Sequence, residues 1–151
     1  MYFKTTKSPF GPITVFAEAD SVIALEFGSI AEERPSKLLK NATDQLSAYF
    51  KGQIKHFSLP LNSTGTVFQQ NVWDLIVKIP YGTTLSYGEL AQKLECAPRS
   101  IGRACGENPI PIIIPCHRVL SANYQIGGYS AGSGSSTKKS LLQLEGVLRK
   151  F

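Results

Sequence analysis

The chain has few of the residues that build disulfide-rich or metal-stabilised proteins. Its 151 residues include three cysteines, two histidines and one tryptophan. The number of cysteines is odd, consecutive cysteines are nine and eleven residues apart, and none of them forms a Cys-x-x-Cys pair. This arrangement disfavours both a disulfide framework and a structural zinc site. We therefore expect no metal site, and at least one thiol that is free to react.

The sequence also lacks long apolar segments. No run approaches the roughly 18–20 apolar residues that a transmembrane helix needs. Residues 1–4 do not show the basic and then apolar layout of a secretory signal. With 42% hydrophobic and 18% charged residues, the composition is typical of a globular protein. We expect a protein that does not associate with membranes and is cytoplasmic (nucleoid-associated) or nuclear.

Positive charge is concentrated in the second half of the chain. Residues 1–65 carry seven Lys or Arg and six Asp or Glu, whereas residues 66–151 carry nine and five. A basic half favours an acidic partner, of which nucleic acid is the most common, but many enzymes with other substrates are equally basic. Charge alone therefore leaves the class of partner open.

The first half has the pattern of a small antiparallel sheet with one helix. Apolar residues predict a helix over Ser36–Lys51, with Ser36 as its cap and Gly52 as its stop. Residues 53–65 are predicted to be a linker that holds one short strand near Phe57–Leu59. Residues 1–60 would thus be a scaffold domain without catalytic residues. Alternating apolar residues predict three strands before the helix, at Met1–Thr5, Ile13–Ala19 and Val22–Phe27.

The second half, residues 66–151, is predicted to be mostly helical. Thr66-x-x-Gln69 and Ser86-x-x-Glu89 are capping boxes, which mark helix N-termini. The second box opens a helix at Tyr87–Leu94, and Pro98 suits the first turn of the next helix, Pro98–Gly106. Two short helices joined by a tight turn are a candidate helix-turn-helix. The last helix is predicted over Thr137–Glu145, with Leu141, Leu142 and Leu144 facing inward.

The segment around Cys116 has the strongest chemical pattern. Residues 108–115 are too rich in proline for a helix and apolar enough to be buried, and they lead directly into Cys116-His117-Arg118. Nearby cations lower the pKa of a thiol, and the thiolate is the nucleophile. From these residues alone, a reactive cysteine and an inert buried cysteine remain equally good interpretations.

The wider pattern resolves this choice, because residues 66–146 resemble the O6-alkylguanine-DNA alkyltransferases. The active-site signature of that family is reproduced by Ile114-Pro115-Cys116-His117-Arg118-Val119. The remaining family motifs occur in the expected order: Phe68-Gln69, Val72-Trp73, Ile79-Pro80-Tyr81-Gly82, Ser86-Tyr87, Asn108-Pro109, Gly127-Gly128-Tyr129-Ser130 and Leu144-Glu145-Gly146.

The resemblance implies an α/β fold with two domains. The N-terminal domain would be a small ribonuclease-H-like antiparallel sheet with a helix, and the C-terminal domain a mostly helical, winged-helix-like DNA-binding unit. The implied activity is DNA repair, in which a methyl or larger alkyl group passes irreversibly from O6-alkylguanine to Cys116, once per protein molecule. O4-alkylthymine is a further candidate substrate. No cofactor is implied.

The resemblance also assigns roles in the chemistry. Cys116 would accept the alkyl group, His117 would take the thiol proton through a water molecule, and Glu145 would orient His117 and balance its charge. Tyr87 would donate a proton to the departing guanine. The pocket for the base would be lined by backbone groups of Val119 and Ser130 and by the Tyr129 ring, with Lys138 near the guanine oxygen.

The implied partner is double-stranded DNA, bound through its minor groove with the damaged base flipped out. Arg99 would fill the gap in the base stack, although a phosphate contact is the simpler interpretation of an exposed arginine. Arg103 would meet phosphate, and Ser100 belongs to a set of small residues that allows close approach to the groove. Asn108 would be the hinge between the DNA-reading helix and the active-site loop. The protein is expected to be a monomer, and cooperative binding on DNA is left open.

Two features depart from the family pattern. Residues 130–137 form a longer loop, richer in Gly and Ser than is usual, and Cys105 stands where a larger apolar residue is common. Two alternatives also remain. Alkyltransferase-like modules bind damaged DNA without transfer but lack the cysteine. A cysteine hydrolase of another class would need an oxyanion hole and many turnovers.

Overall fold

The computed structural model describes residues 1–147. The chain divides into two units, which are called unit 1 (Met1–Thr64) and unit 2 (from Gly65 onward) below. No helix in the described part of the chain is long and apolar enough to span a membrane.

Unit 1 contains a three-stranded antiparallel sheet in the order β1-β2-β3. Its strands are β1 (Tyr2–Ser8), β2 (Gly11–Glu18) and β3 (Ser21–Phe27). Strand β1 runs three residues beyond the predicted Met1–Thr5, because the side chain of Ser8 closes the turn: its Oγ accepts from Phe10 N and donates to Gly11 O. The pairing of the two strands therefore continues up to the turn.

Helix α1 (Lys37–Phe50) packs against β1 and β2. As predicted, the side chain of Ser36 caps it by accepting from Leu39 N at 3.2 Å, and Gly52 follows in a left-handed conformation with φ +73°. The apolar residues at helical spacing that predicted this helix include Leu38 and Phe50, but these two side chains are only half-buried. The buried side chains, which share one helical stripe, are Leu39, Ala42, Thr43, Leu46 and Tyr49.

The strand predicted at Phe57–Leu59 is absent from the structure. The backbone N–H and C=O of Ser58 instead bond to the side chain of Gln45 on α1, at 2.9 and 3.2 Å. Pairing with the sheet begins only at Leu61, which forms an isolated bridge with Val22. A helix side chain therefore satisfies the backbone groups that a strand partner would have used.

Unit 2 begins with helix α2 (Val67–Val77), followed by β4 (Leu85–Ser86), α3 (Tyr87–Leu94) and α4 (Pro98–Gly106). Both predicted capping boxes are present, with side-chain and backbone hydrogen bonds in both directions. The C-cap of α3 is Glu95, whose φ of 53° turns the chain into α4. The bounds of α3 and α4 are those predicted from the sequence, and the two helices pack on each other as a helix-turn-helix.

The segment after α4 is buried throughout residues 110–120. It carries a single 3-10 turn at Cys116–Arg118, followed by β5 (Val119–Leu120), which pairs in parallel with β4. Helix α5 (Ser135–Leu144) packs on that turn. The predicted inward positions Leu141 and Leu142 are fully buried, whereas Leu144 is only half-buried because the helix ends there and Glu145 is its C-cap.

Gly65, the first residue of unit 2, packs closely on α2. A Cβ at this position would lie 2.6 Å from Gln69 Oε1 and 2.7 Å from the Trp73 ring. Trp73 is only 2% exposed, and its indole N–H donates to Ala104 O on α4 at 2.9 Å. Any larger residue at position 65 would therefore have to displace a core tryptophan that holds two helices together.

Candidate active site

Cys116 lies at the start of the 3-10 turn and is 5% exposed. Asn108, two residues after α4, holds this turn in place. Its Nδ2 donates to Ile114 O at 2.9 Å and lies 3.2 Å from Cys116 Sγ, while its Oδ1 accepts from Ile110 N at 2.9 Å. A single amide side chain thus fixes both the course of the buried segment and the environment of the thiol.

The thiol borders a cavity of about 280 Å³ between α4 and the loop that precedes α5. Two glycines of α4 contribute to its wall, and an added Cβ at Gly102 or Gly106 would meet no atom within 4 Å. The cavity is large enough for a flat heterocycle and has both aromatic and backbone surfaces. It is lined by Tyr87, Gly102, Cys105, Gly106, Cys116, Gly128, Tyr129 and Ser130.

Next to the thiol, three buried side chains form one hydrogen-bonded cluster. His117 Nε2 is 2.7 Å from Glu145 Oε2. Arg118 Nε and Nη2 donate to the two oxygens of the same carboxylate at 2.9 and 3.0 Å, and its Nη1 donates to Ile79 O at 2.7 Å. Glu145 Oε1 also accepts from Gly82 N at 3.4 Å. A buried carboxylate needs several hydrogen-bond donors to compensate for its lost hydration, and this cluster supplies them to Glu145.

These contacts determine the protonation of His117. Burial alone would raise the pKa of Glu145, but hydrogen bonds from His117 and Arg118 outweigh it and hold that pKa well below its usual range. Burial lowers the pKa of His117 despite the attraction of Glu145. A neutral imidazole beside a carboxylate donates from Nε2, which leaves Nδ1 as a proton acceptor. Nδ1 is buried and has no hydrogen-bond partner among the described residues.

The surroundings of Cys116 correct one expectation. The adjacent His117 and Arg118 were predicted to lower the pKa of the thiol, but Arg118 is directed at Glu145 instead. Burial raises the pKa of Cys116, and the hydrogen bond from Asn108 and the charge of Lys138 only partly oppose it. The prediction was wrong because neighbours in sequence need not face the same way: the guanidinium is used by a residue 27 positions later.

Two further predicted residues lie close to the cavity. Burial raises the pKa of Tyr87 to about 12, with smaller contributions from Cys105 and Cys116, so its hydroxyl stays protonated. Lys138 is fully buried, and its Nζ donates to Gly128 O at 3.1 Å and lies 5.7 Å from the centre of the Tyr87 ring. Burial lowers the pKa of Lys138 to about 8.

The other residues predicted for the pocket differ in position. Tyr129 and Ser130 line the cavity; the Tyr129 hydroxyl is buried without a hydrogen-bond partner in the described structure, and Ser130 Oγ donates to Gly106 O at 3.0 Å. Val119 is buried in β5 and is not among the residues that line the cavity. Lys138 lies behind the Gly128 wall, not in it.

The predicted DNA-binding residues lie on α4. Arg99 and Arg103 are exposed, and with Ser100 they border a groove of about 320 Å³ between α2 and α4. The small residues predicted to allow close approach to the groove include Gly102 and Gly106, which are at least partly exposed on α4. Ala104 and Cys105 were predicted in the same set, but they are buried, so their small size serves packing.

Comparisons with known proteins extend over both units. Residues 67–147 match the 6-O-methylguanine DNA methyltransferase, DNA binding domain, and residues 1–63 match the ribonuclease-like domain of the same proteins. The chain belongs to the 6-O-methylguanine DNA methyltransferase family. It is 40% identical to the methylated-DNA--protein-cysteine methyltransferase of Mycobacterium tuberculosis H37Rv. The aligned region covers 96% of this chain and 92% of the relative. Identity to the protein of that name from Methanosarcina acetivorans is also 40%, over 97% and 99% of the two chains.

Solved structures of this methyltransferase family share the fold. The crystal structure of M. tuberculosis OGT in complex with DNA matches with a TM-score of 0.86 at 40% identity, over 96% of this chain and 92% of that chain. An O6-methylguanine DNA methyltransferase from Methanococcus jannaschii matches with a TM-score of 0.68 at 27% identity, over 98% and 95%. The predicted fold, a sheet-and-helix unit followed by a helical DNA-binding unit, is thereby confirmed.

Sequence reasoning missed part of the site. Arg118 was expected to act on the thiol, and its buried contact with Glu145 was not foreseen. The backbone partners Ile79 O and Gly82 N were also missed, because backbone groups leave no signature in a sequence. Glu145 itself was predicted, and its position supports that prediction: a carboxylate at a helix C-terminus is disfavoured by the helix dipole, which indicates that another interaction holds it there.

Proposed function

We propose that this protein repairs O6-alkylguanine in DNA by transferring the alkyl group to Cys116, in a single irreversible turnover. The observation that carries the proposal is the placement of a buried thiol on a cavity of about 280 Å³, beside a histidine whose Nδ1 is free to accept a proton. Its relatives named methylated-DNA--protein-cysteine methyltransferase support the same reaction. Residues 66–151 are proposed as the catalytic domain and residues 1–60 as its scaffold.

The proposed reaction is a displacement at the alkyl carbon. The S–C bond forms while the C–O6 bond breaks, and guanine leaves with the electron pair of that bond. Because burial raises the pKa of Cys116, the thiol must lose its proton during the reaction, and His117 Nδ1 takes that proton through a water molecule. Glu145 remains ionised and stabilises the imidazolium that forms. Arg118 keeps Glu145 in place through two hydrogen bonds.

Tyr87 is proposed to protonate the departing guanine. Its hydroxyl borders the cavity, and its pKa of about 12 keeps it protonated at neutral pH. Guanine is a poor leaving group unless its developing negative charge is neutralised, and a positioned hydroxyl meets this need. The proton that His117 took from the thiol is then released to solvent, and Tyr87 regains from solvent the proton that it gave to the base, so that overall one proton passes from the thiol to the base. Lys138, which lies against Tyr87 and Gly128, is proposed to hold this wall of the pocket near the guanine oxygen. Tyr129 and Ser130 line the pocket, and Val119 supports it from β5.

The proposed partner is double-stranded DNA bound by α4, with the damaged base flipped into the cavity, because an alkyl carbon inside a duplex is out of reach. A monomer suffices for this reaction. Arg99 is proposed to fill the vacated space, with Ser100 beside it and Arg103 on phosphate. Arg99→Ala should then slow repair of duplex O6-methylguanine and spare transfer from the free base O6-benzylguanine.

Arg103→Ala is the matched control for a lost cation. It should weaken binding to all sequences and reduce the salt slope of DNA binding by about one unit. If Arg99→Ala lowers the single-turnover rates on duplex DNA and on the free base equally, the proposal that Arg99 fills the space left by the flipped base is wrong.

The proposal is tested by intact-mass and peptide mass spectrometry after incubation with O6-methylguanine DNA. One methyl group per molecule should appear, on Cys116, and Cys116→Ala should bind the damaged DNA without gaining mass. A label on Cys96 or Cys105 would overturn the assignment. Release of methyl groups over many cycles would identify a hydrolase, and binding without any transfer an alkyltransferase-like module.

A further inference from the structure

A strained turn connects β5 with the loop that walls the cavity. Asn123 and Tyr124 are consecutive residues in the left-handed region, with φ of 59° and 55°. Asparagine tolerates this conformation, but for a bulky residue such as tyrosine it is rare and costs free energy. A glycine at position 124 would adopt the same backbone without that cost. Something else in the structure must therefore hold Tyr124 in place.

The side chain of Tyr124 supplies the compensating contact. Its hydroxyl donates a short hydrogen bond to Glu89 Oε1. The same oxygen accepts from Ser86 N at 3.3 Å as part of the capping box that opens α3. The hydrogen bond from Tyr124 holds the pKa of Glu89 below its usual value, so the carboxylate remains the acceptor. The turn after β5 is thus tied to the residues on either side of Tyr87.

The opposite end of the turn leads to the same tyrosine. Three residues after Tyr124, Gly127 approaches Tyr87 so closely that an added Cβ would lie 3.2 Å from the Tyr87 hydroxyl, and 3.5 Å from Lys138 Nζ. Gly128 and Tyr129, which follow, line the cavity. A shift of the turn would therefore change the distance between the Tyr87 hydroxyl and the facing wall of the cavity.

We propose that Tyr124 is a positioning residue for alkyl transfer: its hydrogen bond to Glu89 fixes the Tyr87 hydroxyl relative to the Gly127–Ser130 wall. The inference rests on the proposed function, in which Tyr87 protonates the departing base. It adds a residue outside the cavity that controls the geometry inside it, and it explains why a strained tyrosine occupies a turn that glycine would fit.

The test is the single-turnover rate of Tyr124→Phe at saturating substrate. Loss of one hydrogen bond should slow transfer by about three- to tenfold, and by the same factor on O6-methylguanine duplex and on free O6-benzylguanine. Affinity for duplex DNA and its salt dependence should stay unchanged. Tyr2→Phe, at an exposed tyrosine of unit 1, is the matched control and should transfer at the wild-type rate.

Tyr124→Gly separates positioning from backbone strain. Glycine relieves the strain but cannot bond to Glu89, so this variant should be at least as thermally stable as Tyr124→Phe and equally slow. Tyr124→Phe made in a Glu89→Ala background should cause no additional loss of rate, because the bond is already absent.

Three results would overturn the inference: a wild-type rate for Tyr124→Phe, recovery of the rate in Tyr124→Gly, or a loss confined to duplex DNA, which would mark Tyr124 as a DNA contact. Failure of the proposed function is distinguishable, because the wild-type protein itself would then leave Cys116 unlabelled.

Discussion

The two units differ in what they bury. In unit 1, the described residues bury no charged side chain, and the buried polar groups are the hydroxyls of Thr14, Thr43 and Tyr49. Unit 2 buries four titratable side chains besides its cysteines, namely His117, Arg118, Lys138 and Glu145. Burying charge costs several kcal/mol unless each group is paired, so unit 2 spends stability on a set of groups that unit 1 does without. This difference is what the proposed division into a scaffold domain and a domain that transfers protons would require.

Apart from loss of the acceptor Cys116, the largest expected effect on the reaction comes from Tyr87, which borders the cavity in unit 2. Tyr87→Phe should slow single-turnover transfer by ~10²–10⁴, because one positioned proton donor has that effect on rate. DNA affinity, measured by titration of O6-methylguanine duplex, should change little. An unchanged transfer rate would leave Tyr87 with a packing role only and would weaken the contrast between the units.

The next prediction compares the two kinds of buried polarity directly. Glu145→Ala leaves Arg118 and His117 buried without their carboxylate and should lower the free energy of unfolding by about 3–5 kcal/mol. Thr43→Ala removes hydroxyl bonds to Leu39 O and Lys40 O on α1 and should cost about 1 kcal/mol. Urea unfolding monitored by circular dichroism measures both. Equal losses would mean that the buried cluster carries no special cost.

The buried lysine predicts a dependence of stability on pH. The pKa of Lys138 falls from 10.5 to about 8 in the folded protein, so between these values the unfolded chain binds more protons. Lys138 should therefore contribute a rise in the free energy of unfolding across this window, by up to about 3 kcal/mol. The buried thiols of Cys105 and Cys116 contribute in the opposite direction, because burial raises their pKa and the folded chain keeps their protons. The Lys138 contribution should vanish in Lys138→Met, whereas that of the thiols should remain.

Lys40→Met, on the exposed side of α1, is the matched control for Lys138→Met. The measurement is the difference in unfolding free energy between each variant and the wild type from pH 8 to 10.5. A difference that stays flat for Lys138→Met would show that Lys138 is not held in a site that disfavours its charge.

The smallest expected effect concerns the protein after reaction. An alkyl group on Cys116, which is 5% exposed, overpacks its surroundings, and such changes cost about 1–3 kcal/mol. The melting temperature should fall on methylation and fall further with a benzyl group. Differential scanning calorimetry of the three forms provides the measurement. Identical melting temperatures would indicate that Cys105 leaves spare room in the pocket.

The sequence predicted those features that depend on nearby residues. Both capping boxes, the bounds of α3 and α4 and the cap at Ser36 follow from patterns a few residues long, and each is present. The family resemblance added the long-range placement of Glu145 near His117.

What could not be predicted depends on contacts between distant residues. Arg118 adjoins the thiol in sequence but bonds to a carboxylate 27 residues later, and Tyr124 reaches Glu89 across 35 residues. The strand expected at Phe57–Leu59 failed for a similar reason, because Gln45 takes the backbone bonds of Ser58. In each case, a side chain from another element decides the outcome.

The close packing of Gly65 has a consequence for how related sequences should be compared. Because a Cβ there would lie 2.7 Å from the ring of Trp73, selection should preserve glycine at this position even in relatives with altered chemistry. An invariant residue at the start of the DNA-binding unit would then look like a recognition residue in an alignment. Its invariance would instead report mutational intolerance, imposed by an indole that holds α4 through a hydrogen bond to Ala104.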